Sequence, residues 1–241
     1  MFDINLNVIM KLLFTVIIVI LVSIFLLLEA AYHYGLKALP ENTSPSKSTY
    51  SQDLLYTQWV DLNGRGDIEM KAIYPVHFVI AFVRHSGNDK HFSLAKGSIL
   101  ADRTARVLLF TRDNNKKVRR NRHINKIAIG FWISRNWTAH EALNTLLDLD
   151  YYGNQLFGIQ AAAYGYFKKL PEELSLDEVI YLVALTHAPS YYECKPERII
   201  KLMNRLRTLL STHYPKLYAA TVPIKSVPAS DFSKKCKTSE K

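Results

Sequence analysis

The chain has 241 residues, 49% of them apolar, and 31 Lys and Arg against 21 Asp and Glu give a formal charge of +10. That length holds one membrane segment and one core of ordinary size, which excludes an array of several folded domains. The charge selects an anionic partner without choosing among nucleic acid, acidic lipid and pyrophosphate, and the distant Cys194 and Cys236 have neither zinc-site nor redox-pair spacing.

Taken in order, the first element is the uncharged run LLFTVIIVILVSIFLLL from Leu12 to Leu28. With the residues before Lys11 it approaches the roughly 20 needed to cross a bilayer. It exceeds the roughly 7 to 15 residues of a secretory signal core, so an uncleaved anchor is favoured over a cleaved signal at Glu29-Ala30-Ala31. Tyr32 and Tyr34 suit the interface and place the helix end near Ala31, while Lys11 biases the N-terminus to the inside. Leu39 to Ser51, rich in Pro, Ser and Thr, reads as an extended solvated spacer.

Two alternating segments, Gln58 to Leu62 and Asp67 to Ile73, flank Asn63-Gly64-Arg65-Gly66 and predict a small β-hairpin. Pro75 to Val83 is apolar throughout; helix and strand both fit, with helix preferred. Between Lys96 and Arg135 stand eleven Lys or Arg and two acids, Asp102 and Asp113. Within this patch Ile99 to Phe110 and Val118 to Ile133 read as helices, the second with Ile124, Ile127, Ala128, Phe131 and Trp132 on its apolar face. Arg112 to Lys117 is the loop between them. The patch fits either a solvated helical hairpin or an anion-binding surface near a membrane, where each cation is worth about 1 kcal/mol. Nucleic acid is the weaker partner, because no base-reading motif accompanies the charge.

Beyond it, Thr138 with Glu141 and Ser175 with Glu178 are two capping boxes, each opening an amphipathic helix. Gly153-Asn154 ends the first; Leu156, Ile159, Ala163 and Phe167 set the face of a small-residue helix between them. Ala188-Pro189 stops the second, and Pro196 opens a last helix marked by Ile199, Ile200, Met203, Leu206 and Leu210. The Lys-rich end past Pro215 reads as a disordered tail.

These last helices carry a resemblance. Glu141-Ala142-Leu143, Leu146-Leu147-Asp148, Tyr152-Gly153-Asn154, Phe157-Gly158-Ile159, Ala161-Ala162, Tyr166-Phe167-Lys168-Lys169, Leu174-Ser175-Leu176, Glu178, Ala184-Leu185 and Ala188-Pro189-Ser190 follow one another without a gap, with Tyr192 and Pro196 after them. The order resembles the end of the glycosyltransferase family 51 domain, the peptidoglycan transglycosylases that polymerise lipid II. The resemblance extends from about Lys96 to Leu210. It implies a mainly α, lysozyme-like helical domain behind an N-terminal transmembrane helix, here in reduced form with the small β-hairpin. The expected organisation is a short cytoplasmic N-terminus over 1–11, the transmembrane helix over 12–31, a linker over 32–52, the family 51-like domain over 53–214 and the tail over 215–241. A single-pass protein of the bacterial inner membrane follows, its soluble domain on the extracytoplasmic side.

Such enzymes deprotonate an acceptor hydroxyl with a Glu, while cations and a divalent metal offset the leaving pyrophosphate. The family's E-D-x-x-F motif meets Asn88-Asp89-Lys90-His91-Phe92, with an amide where the base belongs. G-G-S-T-x-T-Q-Q falls on Lys96 to Arg103, keeping Gly97 and Ser98, and R-K-x-x-E falls on Arg122 to Lys126, keeping the Arg and replacing the Glu by Lys126. Both Glu positions are thus substituted. The favoured reading is a membrane-anchored binding or scaffolding protein of the cell envelope with lost or impaired lipid II polymerisation. Its site would be Gly97, Ser98, Arg103, Arg106, Arg122 and Lys126, facing lipid II or another anionic lipid or pyrophosphate, with cell-wall proteins as further partners. The alternative is an active transglycosylase with a displaced carboxylate at Glu69, Asp89 or Asp102, in which case a divalent metal is the expected cofactor.

Overall fold

The computed structural model describes residues 6–39, 42–77, 80, 95–110, 121–192, 195–218, 224 and 226–227. Nine α-helices are assigned among them: α1 Leu6–Leu36, α2 Gln52–Asp61, α3 Ser98–Phe110, α4 Arg122–Asn136, α5 Ala139–Leu149, α6 Ile159–Phe167, α7 Leu176–Leu185, the single turn α8 Pro189–Tyr192 and α9 Pro196–His213. A 3-10 turn at Pro171–Glu173 joins α6 to α7. The mainly α expectation is met. Asn88 to Phe92, Asp89 among them, the loop at Arg112 to Lys117, Cys194 and Cys236 lie outside the described residues.

Helix α7 is the axis of the core. Every residue from Val179 to Leu185 is buried, so the helix is apolar all round and is enclosed by α2, α6 and α9. Helix α5 buries Ala142, Leu143, Leu146 and Leu147 against α2, α3 and α6. Each fully buried Leu of this kind stabilises the fold by about 1.5–3 kcal/mol. Both capping boxes form: Thr138 and Glu141 satisfy each other's backbone amides at 2.7 and 3.2 Å, and Ser175 and Glu178 do so at 2.7 and 3.4 Å. Between α5 and α6 the chain turns through Gly158, whose φ of +80° favours glycine. A Cβ there would stand 2.6 Å from the carbonyl oxygen of Asp148, so the tight turn needs the missing side chain twice over.

The predicted hairpin is absent, and this is a correction. Ser51 caps α2 through its side chain, and the helix runs on through Gln58, Trp59 and Val60, all buried against the core. Five alternating residues looked like a strand, but they are the last turns of a helix whose start lies upstream; no strand is assigned among the described residues. The turn itself was read correctly, with Asn63 at φ 58° and Gly66 at φ 62°. Residues 67–74 carry no regular structure, and 75–77 and 80 are helical, in line with the preferred reading of that segment.

Two further readings change. Helix α1 does not end near Ala31 but continues to Leu36, and its last turns dock on α4, where Tyr32 is buried with Ile73, Ala128 and Phe131. A Cβ on Gly35 would come within 2.5 Å of the Ala128 Cβ, so the crossing depends on two small residues. Helix α4 consequently has two packed sides, Ile129 and Ile133 toward the main core and Ala128 and Phe131 toward α1, while Ile124 and Ile127 are exposed. The spacer, second, is strapped rather than free. The Ser46 amide donates to Thr145 Oγ1 at 2.8 Å, and the hydroxyls of Ser46 and Tyr50 both donate to the Asp148 carboxylate. Burial and that carboxylate push the Tyr50 phenol up to about 12.

Candidate functional site

Arg103, Arg106, Val107 and Phe110 recur at the spacing that puts residues on one face of a helix, and in α3 they face a cavity of about 420 Å³. Helix α4 closes the other side with Arg122, His123 and Lys126, and the C-terminal end of α5 supplies Leu149, Asp150 and Tyr151. The cavity therefore gathers four permanent cations and one imidazole over a floor that includes Val107, Leu109 and Leu149. Of the residues singled out from sequence, Arg103, Arg106, Arg122 and Lys126 all meet here, although they come from helices separated by residues 111–121.

The cations differ in how they are held. Arg103 is built in: its guanidinium donates to the Asp150 carboxylate at 2.9 Å and to the Thr186 carbonyl at 3.2 Å, tying α3 to the ends of α5 and α7. Asp150 is buried and also accepts from the Tyr151 amide at 3.0 Å. Its burial raises the carboxyl above the ordinary Asp range, against the opposing pull of Arg103. Arg106 and Lys126 share a different partner. Asp102 places one oxygen 2.6 Å from the Lys126 ammonium and the other 3.4 Å from the Arg106 guanidinium, and this carboxylate is 38% exposed.

Gly97 and Ser98 fall elsewhere. They open α3 beside Trp59, Gly64, Arg65 and Lys96, around a separate cavity of about 280 Å³. Glu69 sits near them, its carboxylate 3.1 Å from the Lys96 ammonium and more than half exposed, and it is not among the residues lining the cationic pocket. Asp89 lies outside the described residues. His123, Asp150 and Tyr151 were not singled out from sequence. Asp150 pairs with an Arg 47 positions away, for which no local pattern exists, whereas His123 could have been found, since it stands three residues before Lys126, the spacing of helix neighbours.

The donor set at the pocket does not suit a divalent cation. Its carboxylate neighbours, Asp102 and Asp150, are engaged by Lys126, Arg106 and Arg103, and the lining is positive. Among the described residues no group of three His, Cys, Asp or Glu is placed to hold a metal ion. What the pocket can do is bind an anion: Arg presents planar paired donors to phosphate oxygens, Lys a point charge, and the apolar floor lowers the local dielectric.

Residues 71–212 match the family model described as Transglycosylase. The chain is 38% identical over 77 residues to penicillin-binding protein 1A of Rickettsia prowazekii, covering 32% of this chain and 10% of that protein. It is 32% identical over 131 residues to penicillin-binding protein 1A of Aquifex aeolicus, covering 52% of this chain and 18% of that one. It is 25% identical over 149 residues to the biosynthetic peptidoglycan transglycosylase of Acinetobacter baylyi, covering 56% of this chain and 64% of that one. The chain thus spans a small part of the length of the penicillin-binding proteins it matches. With the helical fold, the two capping boxes and the continuous family match in place, the chain belongs to the transglycosylase family.

Proposed function

We propose that this protein is a membrane-anchored transglycosylase-family member that binds a pyrophosphate-bearing lipid without polymerising it, acting as a binding or scaffolding protein of the cell envelope. One observation carries the reading. At the position where the family pattern R-K-x-x-E has its Glu, this chain has Lys126, and Lys126 is one of the residues lining the pocket. An ammonium cannot accept a proton at neutral pH, but it does attract phosphate. The site is therefore built for holding the diphosphate rather than for activating an acceptor hydroxyl. The 28-residue stretch Ile9–Leu36 is long and apolar enough to cross a membrane, which agrees with anchoring in the bacterial inner membrane. The Lys11 bias puts the soluble domain on the extracytoplasmic side. There the pocket would present its lipid to other cell-wall proteins.

The test uses the full-length protein in detergent with lipid II. The expected result is saturable binding without glycan polymer, weakened about tenfold or more by Arg106→Ala, Arg122→Ala or Lys126→Ala, each of which removes a charge-assisted hydrogen bond. A second reading, retained polymerisation by a displaced carboxylate, is favoured by one feature: Asp150 is buried at the pocket wall with its carboxyl raised, which suits a group that holds and releases a proton. Polymer made by the wild type overturns the first reading, and its loss in Asp150→Asn, Glu69→Gln, Asp89→Asn or Asp102→Asn, with the melting temperature unchanged, assigns the carboxylate.

A further inference from the structure

Asp102 is not itself among the residues lining the pocket, but two of the cations that line it, Lys126 and Arg106, pair with its carboxylate. Its two oxygens are divided between Lys126 at 2.6 Å and Arg106 at 3.4 Å, so each cation already has an anion before any ligand arrives. The arrangement is asymmetric with the other acid at the site. Asp150 is buried and locked to Arg103 and to backbone, which makes that pair part of the scaffold. The Asp102 side chain is 38% exposed; its partner Arg106 is 57% exposed, and its closer partner Lys126 is 22% exposed. The Arg106 pair, long and exposed, is of the weak kind that exchanges readily with solvent and other ions, and the Lys126 pair keeps one side open to solvent through Asp102.

We propose that Asp102 is an internal counter-anion that occupies the Lys126 and Arg106 edge of the pocket and sets its affinity for diphosphate, giving way when a more highly charged ligand enters. The proposal rests on the anion-binding reading of the pocket and adds the residue that tunes it. If Asp102 instead only oriented the two cations, removing it would loosen them and weaken binding. If it competes with the ligand, removing it tightens binding, and the gain scales with ligand charge. In water, a unit charge about 6 Å from a ligand charge changes affinity by a factor of about three for each ligand charge. A pyrophosphate diester carries two charges and a phosphodiester one, so the expected gains are about tenfold and about threefold.

The experiment measures binding of the full-length protein to nanodiscs carrying a prenyl diphosphosugar, and separately to nanodiscs carrying phosphatidylglycerol. Wild type is compared with Asp102→Asn and Asp102→Ala, two residues that a partly exposed helical position accommodates, with the melting temperature recorded for each. The expected result is tighter binding by both variants, about tenfold for the diphosphate lipid and about threefold for phosphatidylglycerol, with the differences shrinking as salt is raised. Wild-type binding that is unchanged or weakened in both folded variants overturns the counter-anion while leaving the pocket's function standing. Absence of diphosphate binding in wild type and in both variants removes the pocket reading and the counter-anion with it. Binding that appears only once Asp102 is replaced supports the proposal in its strongest form.

Discussion

The two halves of the domain handle charge in opposite ways. From Thr138 to Tyr192, Lys169 reaches both oxygens of Glu178 at 2.8 Å, and Glu178 also accepts from the Ser175 amide, so this charged pair closes a helix end beside a mainly apolar core. Across α3 and α4 the cations instead converge on a cavity, and the acids present only partly balance them. The first half is specified by packing and caps, and the second by electrostatics over a scaffold that the first half supplies.

The largest effect that would break this contrast is at Gly158. Ala there must hold φ near +80° with its Cβ 2.6 Å from a carbonyl oxygen, and we expect a loss of about 3 kcal/mol or more, or no folded protein, read by thermal or urea unfolding. A mild cost would mean that the packed half is more plastic than its geometry implies. Next come two arginines one turn apart on α3. Arg103→Met leaves the Asp150 carboxylate buried without its cation and should cost about 3 kcal/mol, whereas Arg106→Met should change stability by less than about 0.5 kcal/mol while weakening anion binding. Equal stability losses would erase the distinction between a structural and a ligand-facing cation. The smallest effect is at Glu178. Burial works against its ionised form, but Lys169 and the Ser175 cap outweigh burial and hold its carboxyl below the ordinary Glu range. A depressed folded value means stability that is present above the unfolded value of about 4.3 and lost as pH falls through the folded one. Glu178→Gln should therefore flatten the acid limb of a stability-versus-pH curve and cost under about 1 kcal/mol at neutral pH.

The packed half was legible because its signals are local. A Ser or Thr followed three residues later by Glu is enough to start a helix, and both such pairs formed the caps they promised. Misreading began where order comes from far along the chain. The segment from Asn42 to Tyr50 looks solvated by composition, yet Tyr50 and Ser46 are held by Asp148, 98 and 102 positions away. The end of α2 mimics a strand because five residues are too few to separate two periods, and the cap that settles the matter is at Ser51, seven residues before Gln58. The pocket was half legible: the basic residues announced themselves, but only the fold could pair Arg103 with Asp150 and set Asp102 between Lys126 and Arg106.

The junction of α1 with α4 bears on what the pocket can reach. Because Gly35 and Ala128 let the two helices touch, and because Arg122, His123 and Lys126 ride on that same α4, the membrane segment is a mast and not a tether. A pocket on a flexible cord could sweep a wide shell of solution, whereas one packed against a helix of 31 continuous residues, which on the proposed reading crosses the bilayer, is held near one height above the lipid. On the proposed reading it favours anions that sit at that height by virtue of their own anchors, and a soluble phosphate of equal charge must find the pocket without that help.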